Sequence, residues 1–301
     1  MRKYVIGVDG GGTKTIANLS DLKGNVIAEA SSGPSNPHYT NADELEANLR
    51  EAIESTLRQA IVEYSDVLCI FLGIAGVRKA EETSSLTKTV RRFVPKSVKV
   101  LVDHDLRIAL TAGVGASPGI VAVSGTGSAC YGRNAQGKEY RTSSNDIGSG
   151  SWIGAQALRD ALSANANPQL KTALTNHFHG VCPELETLER HQVAALYPLI
   201  ANLSMQGNAS AKRIVTAGVE GVNQLILETQ AILKLKEIQI VLAGGLMSTQ
   251  PYQSILQNKI KTSLPNAKFI IPSDSQARGA VYEALIRTGI QISDLLPNNH
   301  Q

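Results

Sequence analysis

Two glycine-rich turns, each set between short apolar stretches, constrain the fold of this chain more than any other feature. Before the first turn, an apolar strand is predicted over residues 4–8; residues 10–12 are all glycine, and a second strand is predicted over residues 15–19. A turn signal at residues 21–25 separates this hairpin from a third predicted strand over residues 26–30. The chain is therefore expected to open with hairpins built around a glycine turn.

The same pattern returns in the middle of the chain. An apolar strand is predicted over residues 120–123, a glycine turn follows at residues 125–127, and a second strand covers residues 128–133. Recurrence of such a unit after about 115 residues predicts two related halves, since internal repeats mark repeated architecture.

Helices alternate with strands through both halves, which predicts an α/β protein. We place the boundary after residue 116, so that residues 1–116 form an N-terminal lobe and residues 117–278 form a C-terminal lobe. A last helix over about residues 279–301 is expected to pack back on the first lobe.

Composition and charge exclude several classes of protein. A formal net charge of +3 and an aromatic content of 4% argue against nucleic-acid binding, which uses basic patches and stacking platforms. Cys69, Cys130 and Cys182 are far apart and lack metal-ligand spacing, so reduced thiols are expected. The uncharged stretch at residues 108–132 is rich in glycine and contains Pro118, which excludes a membrane span. Since the first residues also lack a signal-peptide pattern, we expect a cytoplasmic protein without nucleic-acid or membrane partners.

The residues of the two turns are suited to binding phosphate. Gly11 and Gly12 have no Cβ, so consecutive backbone N–H groups can converge on an anion. Thr13 and Thr126 each add a hydroxyl donor at matching places in the two halves. A P-loop is excluded, because Thr13 stands where its lysine is required and a strand follows the turn. The alternative, that the glycines only form tight hairpins, is weakened by the duplication.

We therefore expect the phosphates of a nucleoside triphosphate to be bound from both lobes. The predicted phosphate-binding residues are Gly11, Gly12, Thr13, Lys14, Gly125, Thr126 and Gly127. Asp9 follows the first strand and is predicted to hold Mg²⁺ through water, since Mg²⁺ binds through few carboxylates and keeps several waters.

The segments at residues 7–15 (GVDGGGTKT) and 124–128 (SGTGS) resemble the two phosphate motifs of the sugar kinase/Hsp70/actin superfamily. The closer resemblance is to its N-acetylglucosamine kinases, which are grouped with the BadF/BadG/BcrA/BcrD ATPases. This resemblance covers nearly the whole chain and implies an α/β, two-lobed ribonuclease H-like (actin-like ATPase) fold with an interlobe cleft. It also implies a homodimeric enzyme that uses ATP and Mg²⁺ to phosphorylate the 6-hydroxyl of an amino sugar.

The resemblance assigns roles to three polar residues. Asp105 begins a predicted helix after a strand and matches the family's catalytic aspartate in register. A carboxylate there can accept the proton of an attacking hydroxyl, although Asp103 and Asp105 are also candidates for a helix N-cap. Asn36, in a proline-bracketed loop, and Asp146 match the family's sugar-binding residues.

Adenosine binding is implied for Gly244 and Gly245, and more weakly for Ala194, by similar family segments. Two departures concern the sugar. Ile147 replaces a family glutamate, and the Gly-Trp-Gly loop of N-acetylglucosamine kinases is missing from residues 141–144. Recognition of the acetyl group is therefore not determined by the motifs.

Four alternatives stay open at this point. The first is a kinase for glucosamine, N-acetylmuramic acid or glucose rather than N-acetylglucosamine. The second is an ATPase that activates a radical dehydratase. The resemblance implies that such proteins carry a cysteine near the Asn-Asp motif, and Asn145-Asp146-Ile147 in this chain has none. The third is a repressor/ORF/kinase protein, whose Cys-rich zinc motif is absent. The fourth is a non-catalytic nucleotide-binding scaffold, in which Asp105 and Asn36 would have no role.

Overall fold

The computed structural model describes residues 3–142, 146–272 and 275–292. The chain divides into two compact units. The first unit is formed by Met1–Ser117 and Pro272–Gln301, and the second by Pro118–Ile271. The first unit is therefore discontinuous in sequence, and the chain re-enters it at Pro272, before the last described helix.

The first unit is built on one mixed sheet. Its strands are β1 (Tyr4–Gly10), β2 (Thr15–Asp21), β3 (Val26–Ser32), β4 (Val67–Ile74) and β5 (Lys99–His104). The strand order is β3-β2-β1-β4-β5, with antiparallel pairing from β1 to β3 and parallel pairing from β1 to β5. Gly10 pairs with Thr15, so the first glycine turn closes the predicted hairpin, which is confirmed.

Helices cover this sheet because their apolar residues recur on one side. They are α1 (Ala42–Ala60), α2 (Ala80–Val90), α3 (Asp105–Val114) and α10 (Gln276–Arg287). In α1, Asn41 caps the first turn by accepting from the Glu44 N–H, and the buried face includes Leu45, Leu49 and Ile53. This i, i+4 spacing is the pattern of an amphipathic helix.

Helix α10 lies unusually close to β1 and to α3, because small residues line the contact. A Cβ on Gly7 would collide with the backbone of α10, and one on Gly279 would collide with the carbonyl of Ile108. The helix is shorter than the predicted residues 279–301: it ends at Arg287, and Gly289 has a positive φ of 86° that breaks the helical path. Residues 293–301 lie outside the described residues.

The second unit repeats the topology of the first. Its strands are β6 (Gly119–Ser124), β7 (Ser128–Arg133), β8 (Glu139–Arg141), β9 (Gln239–Ala243) and β10 (Lys268–Ile270). The order β10-β9-β6-β7-β8 again joins an antiparallel set, β6 to β8, to parallel strands, here β9 and β10. The duplicated hairpin read from the sequence is therefore confirmed at the level of topology.

Helices make up most of the rest of the second unit. They are α4 (Gly150–Leu162), α5 (Pro168–His177), α6 (Arg190–Ala194), α7 (Tyr197–Met205), α8 (Ala209–Leu233) and α9 (Tyr252–Ser263). Pro198 stands in the first turn of α7, where its missing N–H costs nothing, so α6 and α7 form separate helices. No helix among the described residues is long and apolar enough to cross a membrane.

Candidate active site

The first glycine turn has backbone amides that donate to no residue in the described part of the chain. It is closed by a hydrogen bond from the Gly11 N–H to the Lys14 carbonyl, 2.9 Å, and the Gly11 carbonyl accepts from the backbone of Asn36 at 3.1 Å. In a trans peptide the next N–H points away from that carbonyl, so the Gly12 N–H faces away from the Asn36 loop. Within the described residues, neither Gly12 nor Thr13 donates its backbone N–H. The turn therefore offers two free donors, as an anion site requires.

Asp9 lies at the end of β1, next to this turn. Burial, and then the negative charge of Asp105, raise the pKa of Asp9 to about 7, while the charge of Lys14 opposes the shift. The two carboxyl groups are therefore close enough to interact electrostatically. Such a pair, in a partly buried place beside free amides, is a site where a cation or a proton is favoured.

Asp105 is the first residue of α3 and is only partly buried. Its Oδ1 accepts from the Leu106 N–H at 3.0 Å. The helix is capped by His104, whose Nδ1 accepts from the Arg107 N–H at 3.1 Å. The N-cap alternative is therefore wrong for both aspartates: Asp103 lies in β5 and pairs with Arg107, Nε to Oδ2, at 2.6 Å. Asp105 is left with its Oδ2 atom for a ligand.

A buried ionic network that no pattern in the sequence indicates holds the start of α3. Arg107 is 7% exposed and Glu283, on α10, is 1% exposed. The Thr111 hydroxyl donates to Glu283 at 2.6 Å, and the Arg107 guanidinium lies 4.0 Å from the same carboxylate oxygen. Buried charges are retained where they are paired, so this network fixes the helix that carries Asp105.

Asn36 is buried in the loop after β3, and the oxygen of its side-chain amide is already hydrogen-bonded. Its Oδ1 accepts from the His38 N–H at 3.0 Å, and the neighbouring Ser35 hydroxyl accepts from Thr15 at 2.8 Å. Ser35 and Asn36 both donate their backbone N–H to the Gly11 carbonyl. Within the described residues, the Asn36 Nδ2 atom makes no hydrogen bond, which leaves an oriented donor for a hydroxyl or carbonyl oxygen.

The second glycine turn has a similar pattern of backbone hydrogen bonds. The Gly125 N–H donates to the Gly127 carbonyl at 2.9 Å. The Gly125 carbonyl accepts from the Gly150 N–H at 2.8 Å, and the Thr126 carbonyl accepts from the Ser151 N–H at 3.4 Å. These donors belong to the first turn of α4, so the turn's carbonyls face α4 and its amides face away from it. The N–H groups of Thr126 and Gly127 have no partner within the described residues.

Asp146 lies beside the second turn, in the second unit. Its carboxylate pairs with Arg190, Oδ2 to Nη2, at 2.7 Å. A Cβ on Gly127 would lie 2.7 Å from that guanidinium and 3.1 Å from the Asp146 Oδ1. Ile147, which replaces the family glutamate, packs against Gly221 of α8. Asn145 lies outside the described residues.

The residues assigned to adenosine lie near the second turn as well. Gly244 follows β9 with a φ of 92°, and a Cβ there would collide with the backbone of Ser124, the last residue of β6. Gly245 has open space at its Cβ position. Ala194 ends α6, and its carbonyl lies 3.1 Å from the Cβ position of Gly150. The second turn, α4, α6 and the Gly244-Gly245 segment thus form one neighbourhood.

The predicted site residues therefore fall into one cluster in each unit. The first unit holds Asp9, Gly11, Gly12, Thr13, Lys14, Asn36 and Asp105, and the second holds Gly125, Thr126, Gly127, Asp146, Ala194, Gly244 and Gly245. Arg190 was not predicted: a single arginine at the start of a short helix carries no recognisable signal in the sequence.

The paired glycine turns and repeated sheets define an α/β protein of the actin-like ATPase fold, as expected from the sequence. The chain belongs to the BadF/BadG/BcrA/BcrD ATPase family, whose model matches residues 6–286. The resemblance stated from the motifs is thus confirmed.

Two relatives and one solved structure extend this result. The chain is 29% identical to an N-acetylmuramic acid/N-acetylglucosamine kinase of Clostridium acetobutylicum, with 93% of this chain and 97% of that protein covered. It is 26% identical to an N-acetyl-D-glucosamine kinase of Dictyostelium discoideum, with coverage of 94% and 98%. A structure from Chromobacterium violaceum, provisionally named an N-acetylglucosamine kinase, superposes with a TM-score of 0.72 at 21% identity, covering 94% of this chain and 99% of that one. The last comparison supports the fold alone.

Proposed function

We propose that this protein is an ATP-dependent sugar kinase that transfers the γ-phosphoryl group to the 6-hydroxyl of N-acetylglucosamine. Glucosamine and N-acetylmuramic acid are the alternative acceptors. The observation that carries the proposal is the cluster in the first unit, where Asp105 stands electrostatically coupled to Asp9 beside a turn with two free amides. Both curated relatives are named as kinases of N-acetylated amino sugars, which supports the substrate class.

In this proposal, the two turns bind the phosphates of the nucleotide. The proposed phosphate-binding residues are Gly11, Gly12, Thr13, Lys14, Gly125, Thr126 and Gly127. Phosphate oxygens would accept from the free backbone amides of the two turns and from the side chains of Thr13, Lys14 and Thr126. Gly244, Gly245 and Ala194 would contact the adenosine, since glycine allows close approach of the backbone. Phosphoryl transfer depends mainly on such positioning and on charge neutralisation.

Mg²⁺ fits the donors present in the first unit. Burial and the charge of Asp105 raise the pKa of the Asp9 carboxyl group. A divalent cation there would stabilise the ionised carboxylate. Mg²⁺ binds through one or two carboxylates, keeps several waters and contacts substrate phosphates, which matches a site built on Asp9. When bound, Mg²⁺ would neutralise charge on the phosphates, while Asp9 would orient it through water.

Asp105 would act as the general base. Its Oδ1 is held by the Leu106 N–H, so Oδ2 would accept the proton of the sugar hydroxyl. The oxygen of the sugar hydroxyl forms a bond to the γ-phosphorus. The bond from the γ-phosphorus to the bridging oxygen breaks at the same time, and ADP leaves with its electron pair. Asn36 would donate from Nδ2 to the sugar, and Asp146 would accept from one of its hydroxyls.

The alternative of a dehydratase activator gains no support from the thiols. Cys69 and Cys130 are buried, in different units, and burial raises the pKa of both thiols. The ligand of a metal is the thiolate, so these two cysteines are poorly suited to hold an iron–sulfur cluster. The predicted cytoplasmic location and homodimeric assembly stay predictions, and size-exclusion chromatography with light scattering tests the second.

Asp105→Asn tests the function directly. Replacing the base should lower kcat for the sugar substrate by about 10²–10⁴-fold, because the amide cannot accept the proton. The measurement is ADP release with N-acetylglucosamine, glucosamine, N-acetylmuramic acid and glucose offered in turn. Asp43→Asn is the matched control, since Asp43 is an exposed aspartate in the first turn of α1. Unchanged turnover in Asp105→Asn, or ADP release that no sugar stimulates, would contradict the proposal.

A further inference from the structure

Arg190 stands against the second glycine turn and has no role in the function proposed so far. Its Nη2 lies 2.7 Å from the Asp146 Oδ2 and 2.7 Å from the position that a Cβ would take on Gly127. The N–H groups of Thr126 and Gly127 donate to no described residue. A guanidinium and two unsatisfied amides therefore stand at the same short turn, which is a donor set that matches a phosphate.

The backbone around Arg190 is held in place relative to the turn. Gly150 and Gly154 of α4 have no side chains, which lets the carbonyls of Ala194 and Val193 in α6 approach closely. The same Gly150 donates its N–H to the Gly125 carbonyl. Helix α4 therefore fixes both the turn and α6, the short helix that begins with Arg190. The backbone that carries the guanidinium thus has a defined position relative to the turn.

The segment that carries Asp146 is also tied to the turn. The Ser124 hydroxyl donates to the Gly148 carbonyl at 2.9 Å, and the Ser128 hydroxyl donates to the Ile147 carbonyl at 2.8 Å. Asp146 itself has a positive φ of 58°, a conformation that costs free energy in a non-glycine residue and is common at ligand sites.

The pairing of Arg190 with Asp146 does not satisfy the guanidinium. The side chain of Arg190 is 46% exposed and that of Asp146 is 36% exposed, and exposed pairs of this kind contribute little to stability. A guanidinium has five N–H donors in a fork that matches phosphate oxygens. Arg190 can therefore keep one hydrogen bond to Asp146 and present other donors to an anion at the turn.

We propose that Arg190 is a further phosphate-binding residue, whose guanidinium binds the phosphates of ATP at the second turn while Asp146 orients it. The inference rests on the proposed function, because it takes ATP to be the ligand of that turn. The bound guanidinium neutralises charge on the phosphates, and this stabilises the transition state of the transfer. Asp146, which is proposed above to contact the sugar, would then act on both substrates.

The test compares Arg190→Ala and Arg190→Lys with Arg213→Ala. Arg213 is a matched control, because it forms an ion pair of the same kind with Asp160, 2.6 Å, elsewhere in the second unit. Titration calorimetry measures the affinity for a non-hydrolysable ATP analogue with Mg²⁺ and, separately, for adenosine. Arg190→Ala should lose about tenfold or more in affinity for the analogue and keep its affinity for adenosine, while Arg213→Ala keeps both.

Steady-state kinetics give the second readout. In Arg190→Ala, kcat/KM for ATP should fall about 10²-fold, the loss typical of removing one preorganised donor. Arg190→Lys should recover part of this loss, because it restores the charge without the fork. Added guanidinium ion should partly restore Arg190→Ala and leave Arg213→Ala unchanged, which a structural role for Arg190 would not produce.

Several results would overturn the inference. One is an Arg190→Ala protein that matches the wild type in analogue affinity and in kcat/KM. Another is an equal loss of affinity for adenosine and for the analogue, which would show a structural effect; Arg190→Gln serves in place of Arg190→Ala if the latter does not fold. A wild-type protein that takes up no nucleotide would refute the proposed function itself, whereas a wild type and an Arg190→Ala that phosphorylate the sugar equally well refute only the inference.

Discussion

The carboxyl group of Asp9, the proposed Mg²⁺ residue, lowers the stability of the folded chain when it is ionised. Burial and the charge of Asp105 raise its pKa from 3.8 to about 7. The folded chain therefore binds this proton more tightly than the unfolded chain. Between these two values, unfolding releases a proton, so the stability of the folded state falls as the pH rises from about 4 to about 7.

Asp9→Asn removes this cost. In magnesium-free buffer, we expect the variant to have a higher Tm than the wild type at pH 8, by about 4 °C if roughly 1–2 kcal/mol is recovered. At pH 4 the difference should shrink, because the wild-type carboxyl is then protonated. Differential scanning calorimetry at both pH values measures it. Asp43→Asn, an exposed counterpart on α1, should show no such pH dependence, and an equal gain at both pH values would contradict the explanation.

The residues proposed to face a ligand could be named from the sequence, whereas the contacts that hold them could not. Asp9 and the glycine turns follow from their places after strands, and Asp105 follows from its place at a helix start. Neither the His104 cap nor the Arg107–Glu283 contact was foreseen. Glu283 lies on α10, far from Arg107 in sequence, and only the packing of α10 on α3 brings them together.

At the scale of elements, the closest packing in the first unit occurs where α10 lies on β1 and α3. Gly279 sits inside α10, and a Cβ there would collide with the Ile108 carbonyl and come within 2.9 Å of the Ala112 nitrogen. Backbone atoms cannot yield as a flexible side chain can. The start of α3, which carries Asp105, therefore depends on a helix that has no side chain at this point.

Gly279→Ala should destabilise the protein by about 1–3 kcal/mol, the usual cost of overpacking. The sign is the informative part, because alanine in place of glycine normally stabilises a helix interior by about 1 kcal/mol. Chemical denaturation followed by circular dichroism measures the free energy of unfolding. A variant as stable as the wild type, or more stable, would show that α10 does not pack this closely.

The break between α6 and α7 marks a limit of prediction at this scale. Residues 193–205 look like one helix, because apolar residues recur along them. The structure instead ends α6 at Ala194 and begins α7 at Tyr197, with Pro198 in its first turn. Apolar periodicity continues across the break since both helices pack on the same core, and so the pattern alone cannot show the boundary.

At the scale of the whole molecule, the repeated topology was predictable and the discontinuity of the first unit was only partly so. Both sheets join an antiparallel hairpin set to parallel strands, as the duplicated motif indicated. The return of the chain to the first unit depends on tertiary packing, in which Val281, Tyr282 and Leu285 of α10 join Val5 and Phe71 of the sheet in one buried cluster.

Truncation tests this dependence. A chain that ends at Ile271 lacks α10 and exposes the apolar face of the first sheet, so its first unit should lose its fold while the second unit keeps it. Hydrogen exchange with mass spectrometry would then show loss of protection in residues 3–117 and retained protection in residues 118–271. A chain that ends at Ile292 keeps α10 and serves as the control. Full protection of both units in the shorter chain would contradict the prediction.

The carbonyl of Gly11 accepts from Ser35 and Asn36, so a single peptide group joins the turn proposed to bind phosphate to the loop proposed to bind the sugar. A sugar that orders this loop should therefore also order the turn and raise the affinity for the nucleotide. By thermodynamic linkage, the nucleotide should raise the affinity for the sugar by the same factor. An enzyme with this shared peptide group would bind its two substrates cooperatively and would hydrolyse little ATP in the absence of a carbohydrate.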